Sequence, residues 1–198
     1  MSRETKVSIA VSSSRNLALT AVFGALYAAL VVAFAPISIL PIQVRIADVL
    51  LPLAILFGWP AIFGLGIGTV VGNFVADSIT GFPSASIGLD IVGGSLVNLL
   101  AAYLAWRIGR SGWKAGNWNA SWFSATVVQT VLISMVVGGY LSYVFAIPLI
   151  VSILTILAGE IVAINIGGFA LLSIIGREKT LALFRSWGLK IYGAPQDR

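Results

Sequence analysis

Long apolar stretches alternate with short polar breaks along most of the chain, on the scale set by membrane-crossing helices. A helix needs about 20 apolar residues to cross the hydrocarbon core. Residues 17–35 supply one such run and stop at Pro36. Residues 36–46 (PISILPIQVRI) hold two prolines and one charge and read as an outer loop or a partly inserted segment. A short second span follows over 47–57, stopped by Gly58-Trp59-Pro60. Its shortness predicts a helix that is tilted, or shielded by neighbours rather than lipid. The third span is expected over 61–76, and residues 77–89 then read as a polar loop containing Asp77. The fourth, 90–106, ends in RIGRSGWKAGNWN, whose tryptophans suit an interfacial position. Residues 121–176 carry one charge, Glu160, and are too long for one crossing. Pro148 marks the turn, giving a fifth span over 122–143 and a sixth over 149–175. The domain organisation is one integral-membrane unit over 1–198. It has a polar head (1–16), six spans (17–176) and a basic tail (177–198) in which Leu181, Leu183, Phe184, Trp187 and Leu189 suit an amphipathic surface helix.

Charge orients this pattern. The Lys and Arg residues fall in the head (Arg3, Lys6, Arg15), the linker (Arg107, Arg110, Lys114) and the tail (Arg177, Lys179, Arg185, Lys190, Arg198), with Arg45 the exception. Basic residues close to span ends mark the cytoplasmic side. Six spans put all three segments there, with both termini inside; five or seven would strand the tail outside. Asp48, Asp77, Asp90 and Glu160 avoid the basic segments.

Composition narrows the function classes. The chain is 59% hydrophobic and 10% charged, against about a quarter charged in soluble domains. The excess of positive charge flanks apolar segments, so it reads as topology signal and lipid contact, not as a nucleic-acid surface. The chain has no Cys and no His, which removes disulfides, ordinary Cys/His metal sites and the usual general base. No cofactor site is expected. No Walker A pattern occurs, so any ATP-driven activity needs another polypeptide. The polar head does not resemble a cleaved signal peptide.

Glu160 is the first candidate for function. It lies midway along the sixth span, beside Gly159 and five residues before Asn165. A mid-membrane acid costs about 2.5–3.5 kcal/mol on insertion scales and normally faces a cavity or partner. It reads as a ligand contact, a proton carrier, or a protonated structural carboxyl. Gln43, Arg45 and Asp48 cluster where the second span begins. Arg45 and Asp48 at i, i+3 can pair as an interfacial ion pair, or the cluster can rim an outward cavity. Asn73 and Asp90 bracket the third loop; Asp90 is placed to cap its helix. Two small-residue ladders complete the set. Gly64, Gly68 and Gly72 are expected to pack within the protein, whereas Ala21, Ala25 and Ala29 can serve a partner's helices.

The stretches PIQVRIADVLLPL (41–53), IFGLGIGTVVGN (62–73), LDIVGGSLVNLLAA (89–102) and AGEIVAI (158–164) resemble the QueT branch of the substrate-binding S-components of energy-coupling-factor (ECF) transporters. The chain keeps that branch's Gln43, Arg45, Asn73, Asp90 and Glu160. It has Ala47-Asp48 where Ser-Glu is expected and Asn98-Leu99 where Thr-Leu is expected. The resemblance implies an all-α, six-transmembrane-helix bundle in the plasma membrane with both termini cytoplasmic. It further implies a non-catalytic binding subunit for a queuosine precursor, a deazaguanine. Gln43, Arg45, Asp48, Asn73, Asp90 and Glu160 would form or border the substrate site. Ala21, Ala25 and Ala29 would dock on a membrane coupling subunit that carries two ATPases. Two alternatives stay open: the same architecture serving another small vitamin, and a stand-alone proton-coupled carrier using Glu160. An intramembrane hydrolase fares worst, with no His, no Cys and no paired catalytic acids that the sequence can show.

Overall fold

The computed structural model describes residues 3–37, 43–115 and 119–193, with side chains from Ser14 onward. Parts of the segment between α1 and α2 and of the basic linker, and Arg198, lie outside the described residues. Seven helices make up the described fold: α1 (Arg3–Ala33), α2 (Ile46–Phe57), α3 (Trp59–Thr80), α4 (Ile87–Gly109), α5 (Ala120–Phe145), α6 (Leu149–Ile175) and α7 (Glu178–Ser186). No strand occurs among the described residues. Five of these, α1 and α3 to α6, contain stretches long and apolar enough to cross a membrane.

The direction of each helix follows from what its residues meet. Gly64 packs on Thr20 and Phe23, Gly68 on Gly24 and Tyr27, and Gly72 on Val31, so α1 and α3 run parallel and almost backbone to backbone. Lipid supplies no hydrophobic drive between helices, so close approach at small residues is what holds such a pair. The glycine ladder therefore packs internally, as its spacing predicts. Because α1 and α3 run the same way, the chain between them must return through the bundle, and α2 does so. Arg45 at its start meets Asp90 on α4, and the other end of the helix, at Ile55, packs on Gly109 of α4. The rest alternate. Asn73 meets Asp90 while Trp59 at the opposite end of α3 stacks near Trp106. Gly138 packs on Ile153, and Trp122 packs on Gly176.

The shortness of α2 has a structural answer. Residues Ile46–Leu53 are a 3-10 helix and only Ala54–Phe57 are α-helical. A 3-10 helix rises about 2.0 Å per residue against 1.5 Å for an α-helix, so the stretched geometry lets few residues reach further. Neighbours shield nearly all of it: Ala47, Asp48 and Leu50 to Phe57 are buried, and Ile46 and Val49 are half-buried. A helix apolar all round belongs inside.

Helix α1 begins at Arg3, ahead of its apolar stretch Ser14–Ala33. Two expectations are corrected. Helix α3 continues past residue 76 to Thr80, where Gly81 in the left-handed conformation (φ 76°) ends it. Asp77 is therefore a buried helical residue, not a loop residue. Helix α4 starts at Ile87, so Asp90 sits inside the first turn and makes no side-chain cap. The tail forms the expected amphipathic helix, with one face packed on the bundle and Leu183 and Trp187 exposed. Leu181 is buried, Phe184 packs edge-on against Phe57, and Tyr192 N–H donates to Leu56 O at 2.8 Å. The tail thus seals the end of α2, and Arg110 stacks over Trp106 and Tyr192 beside it.

Candidate functional site

Two polar layers lie inside the bundle, and α2 contributes to both. The outer layer lies at the end opposite the basic segments. Arg45, just before α2, donates from Nη2 to Asn73 Oδ1 at 3.1 Å and lies 3.8 Å from Asp90 Oδ2. Asn73 Nδ2 donates to Asp90 Oδ2 at 2.7 Å, and Tyr140 OH donates to Asp90 Oδ1 at 2.6 Å. Four elements therefore converge on one carboxylate, whose two oxygens each accept a short bond. Charge-assisted bonds of this kind are the strong ones. The i, i+3 pair expected between Arg45 and Asp48 is not what forms. Only the backbone link Asp48 N–H to Arg45 O joins that turn, while the guanidinium turns toward α3 and α4.

This layer lines a cavity of about 50 Å³, bounded by Gln43, Arg45, Asn73, Asp77 and Asp90 on its polar side and by Val31, Val137 and Leu141 on its apolar side. That volume holds a few waters at most. Phe82 and Phe145 also line it, their rings meeting edge-to-face at 5.4 Å. Asp77 lies beside Asp90, and its Oδ2 is buried with no hydrogen-bond donor.

The inner layer begins one 3-10 turn further along α2. Tyr27 OH donates to Asp48 Oδ1, Asn98 Nδ2 donates to Tyr27 OH at 2.7 Å and to Thr69 Oγ1 at 3.0 Å, and Thr69 OH donates to Leu65 O. Glu160 reaches Asp48 from α6 and is buried, as is Asp48 itself. Neither Glu160 Oε2 nor Asp48 Oδ2 has a donor. Backbone geometry brings this pair together. Residues Ile161–Gly168 form a π-helical stretch immediately after Glu160, and such distortions concentrate at functional positions. Gly159 lets the chain at Gln43 and Val44 pass directly over α6, and Gly168 packs on Pro52. Asn165 is taken up by α5: Thr130 OH donates to its Oδ1, and its Nδ2 donates to Thr126 Oγ1.

Of the residues singled out in the sequence, Gln43, Arg45, Asn73 and Asp90 come together around the cavity. Asp48 and Glu160 do not line it; they form the layer beneath. Sequence reasoning missed Tyr27, Thr69, Asn98, Tyr140 and Asp77. A signal existed for two of them: Tyr27 interrupts an alanine-rich face, and Asn98 is a polar residue in the middle of an apolar span. Ala21, Ala25 and Ala29 all lie on the exposed face of α1. Ala21 and Ala25 line a groove of about 330 Å³ between α1 and α3, together with Gly24, Ala28, Ile67 and Val71.

The family described as QueT transporter matches residues 17–177, which cover all five long apolar spans and α2. No curated protein and no solved structure matches the chain.

Proposed function

The chain belongs to the QueT transporter family, and from that premise we propose that it is the substrate-binding membrane subunit of an ATP-driven ECF-type importer that takes up a queuosine precursor. The observation that carries the reading is the convergence of Gln43, Arg45, Asn73 and Asp90 on one cavity. A deazaguanine offers ring N–H donors and carbonyl acceptors along a flat edge. Arg45 donates, Asp90 accepts, and Gln43 and Asn73 do both, so one face of the cavity can match such an edge. The aromatic pair Phe82 and Phe145 borders the same cavity. Asp48 and Glu160 hold the floor and, through the α2 turn, the position of Arg45.

Orientation follows from charge. Arg15, Arg107, Arg110, Lys114, Arg177, Lys179, Arg185 and Lys190 gather at the end where α4, α5 and α7 meet, so on our reading that end is cytoplasmic and the cavity faces outward. With α2 as a crossing, six spans return both termini to the inner side of the plasma membrane. The exposed Ala21, Ala25 and Ala29 face, with its groove, is the docking site for a coupling subunit. That subunit carries the two ATPases, and this chain performs no catalysis. A second reading, a stand-alone proton-coupled carrier, draws on one observation: Glu160 has a second acid, Asp48, directly against it inside the bundle.

Two measurements test the proposal. Purified protein in detergent is titrated with deazaguanine precursors and, as competitors, with riboflavin, thiamine, biotin and cobalamin. Tight binding of a deazaguanine alone supports the cargo, and tight binding of another vitamin replaces it. Uptake in cells separates the mechanisms. Loss of uptake on removing the ATPases supports the importer, whereas loss on collapsing the proton gradient alone supports the carrier.

A further inference from the structure

We infer that residues 188–193, the strap that follows α7, form a detachable latch on α2. Seated, the strap holds α2 where its first turn positions Arg45 at the cavity; released, it frees α2 and loosens the cavity from the far end of the bundle. The consequence for a ligand rests on the binding function proposed above; the latch itself does not.

Helix α2 is too short to fill the bundle from end to end. Its eight 3-10 residues and four α-helical residues span about 22 Å, against a hydrocarbon core of about 30 Å. The strap fills the shortfall at the end remote from the cavity. Tyr192 N–H donates to Leu56 O at 2.8 Å, and Trp122 Nε1 donates to Gly193 O at 3.1 Å. The Tyr192 ring lies against Gly58, where α2 turns into α3, and Gly193 lies against Ile55 and Gly109. One short segment thus braces the ends of α2, α3, α4 and α5 together.

Its attachment is light. Among the described residues, those two hydrogen bonds are the ones that join strap to bundle, and Leu189, Ile191 and Tyr192 are half-buried. Ile55 and Leu56 beneath them are fully enclosed. Gly188 leaves α7 in the left-handed conformation (φ 75°), so the strap departs at a sharp corner. Segments with few buried contacts, anchored on a buried core, are the ones that open locally. Helix α2 is suited to carry that opening onward. A 3-10 helix has poorer hydrogen-bond geometry than an α-helix, and Pro52 removes one further backbone donor. At its other end Arg45 holds Asn73 at 3.1 Å and Asp90 at 3.8 Å. The strap is therefore a two-state element whose state both ends of α2 report.

The test uses the purified full-length chain in detergent, which has no native cysteine. Ile55→Cys and Ala47→Cys place single thiols at the two ends of α2, where both native side chains are buried. Labelling of each by N-ethylmaleimide should be slow while the strap is intact. Adding Tyr192→Ala, or Trp122→Phe to remove the donor to Gly193 O, should speed both about tenfold, the factor for losing about one net hydrogen bond. An unchanged rate at Ile55→Cys means that the strap closes nothing. A rise there without a matching rise at Ala47→Cys means that α2 carries no signal, and either result overturns the latch. Amide exchange on the unaltered chain decides the matter even where a variant does not fold. Amides 189–193 should exchange ahead of those of α3 but more slowly than in a free chain. Exchange at free-chain rates, or only together with α3, overturns the latch. No ligand enters these measurements, so failure of the latch leaves the binding function standing, and failure of deazaguanine binding leaves the latch.

Discussion

Replacing Gly159 by alanine places a methyl carbon inside the van der Waals envelope of the Gln43 carbonyl oxygen, 2.8 Å from its carbonyl carbon and 3.2 Å from Val44 Cα. Both neighbours are backbone, so no side chain can swing aside. In an open helix a Gly to Ala change gains about 0.8–1 kcal/mol of propensity. Overpacking costs about 1–3 kcal/mol, and the upper end applies where backbone has to move. The net expectation for Gly159→Ala is a loss of about 2 kcal/mol, equivalent to a fall of about 4–8 °C in melting temperature for a chain of this size. Gly139 on α5 is the internal control, because a Cβ added there meets nothing within 4 Å. Gly139→Ala should hold or raise the melting temperature. The damage at Gly159 should also reach the ligand, since the displaced segment carries Gln43 and Arg45. Thermal unfolding in detergent by intrinsic Trp fluorescence, followed by ligand titration of each variant, reads both effects. If Gly159→Ala is as stable as Gly139→Ala and binds ligand equally well, the contact between α6 and the segment before α2 does not organise the site.

The other expectations draw on separate parts of the structure. Tyr140→Phe removes the donor to Asp90 Oδ1 and should weaken ligand binding by about 1.5–3 kcal/mol, the range for a bond to a charged group. An unchanged titration would detach Tyr140 from the site. Glu160→Gln should leave ligand affinity nearly unaltered, because Glu160 lies beneath the cavity lining. A loss of about 1–3 kcal/mol would instead put its carboxyl on the ligand. Ala25→Leu fills the α1/α3 groove and should preserve ligand binding while abolishing co-purification with a coupling subunit; surviving assembly would mean docking elsewhere. The chain has no cysteine, so Ser84→Cys and Lys114→Cys give clean topology probes. A membrane-impermeant thiol reagent on intact cells should label the first and spare the second, and the reverse pattern would invert the orientation.

Several features were legible before any coordinates, and each rests on a local physical rule. Helix spans follow from apolar run length, because an unpaired backbone cannot sit in hydrocarbon. The basic segments mark one side because charge sorts at insertion. The glycine ladder announced close packing, since only the absence of a Cβ lets two backbones meet as α1 and α3 do. Gln43, Arg45, Asn73 and Asp90 were identifiable as polar residues bordering apolar runs, and they do meet.

What the tertiary structure decided were the partnerships, which depend on which faces of different helices turn toward each other. Arg45 had a neighbour in sequence, Asp48, yet pairs across the bundle, because it precedes the 3-10 helix in a non-helical conformation (φ −86°, ψ 86°) and turns its guanidinium to Asn73 and Asp90 while Asp48 meets Tyr27. Asp90 was placed as a cap and became the meeting point of α3, α4, α5 and the residues before α2. Asp77 read as loop because the polar run begins there, but its helix carries on to Gly81, and burial rather than polarity fixed its place. Glu160 stood out alone in an apolar span, and only the pass of Gln43 over Gly159 revealed that its companion is another acid. Sequence fixes the cost of burying each polar group; the fold decides which other group meets it.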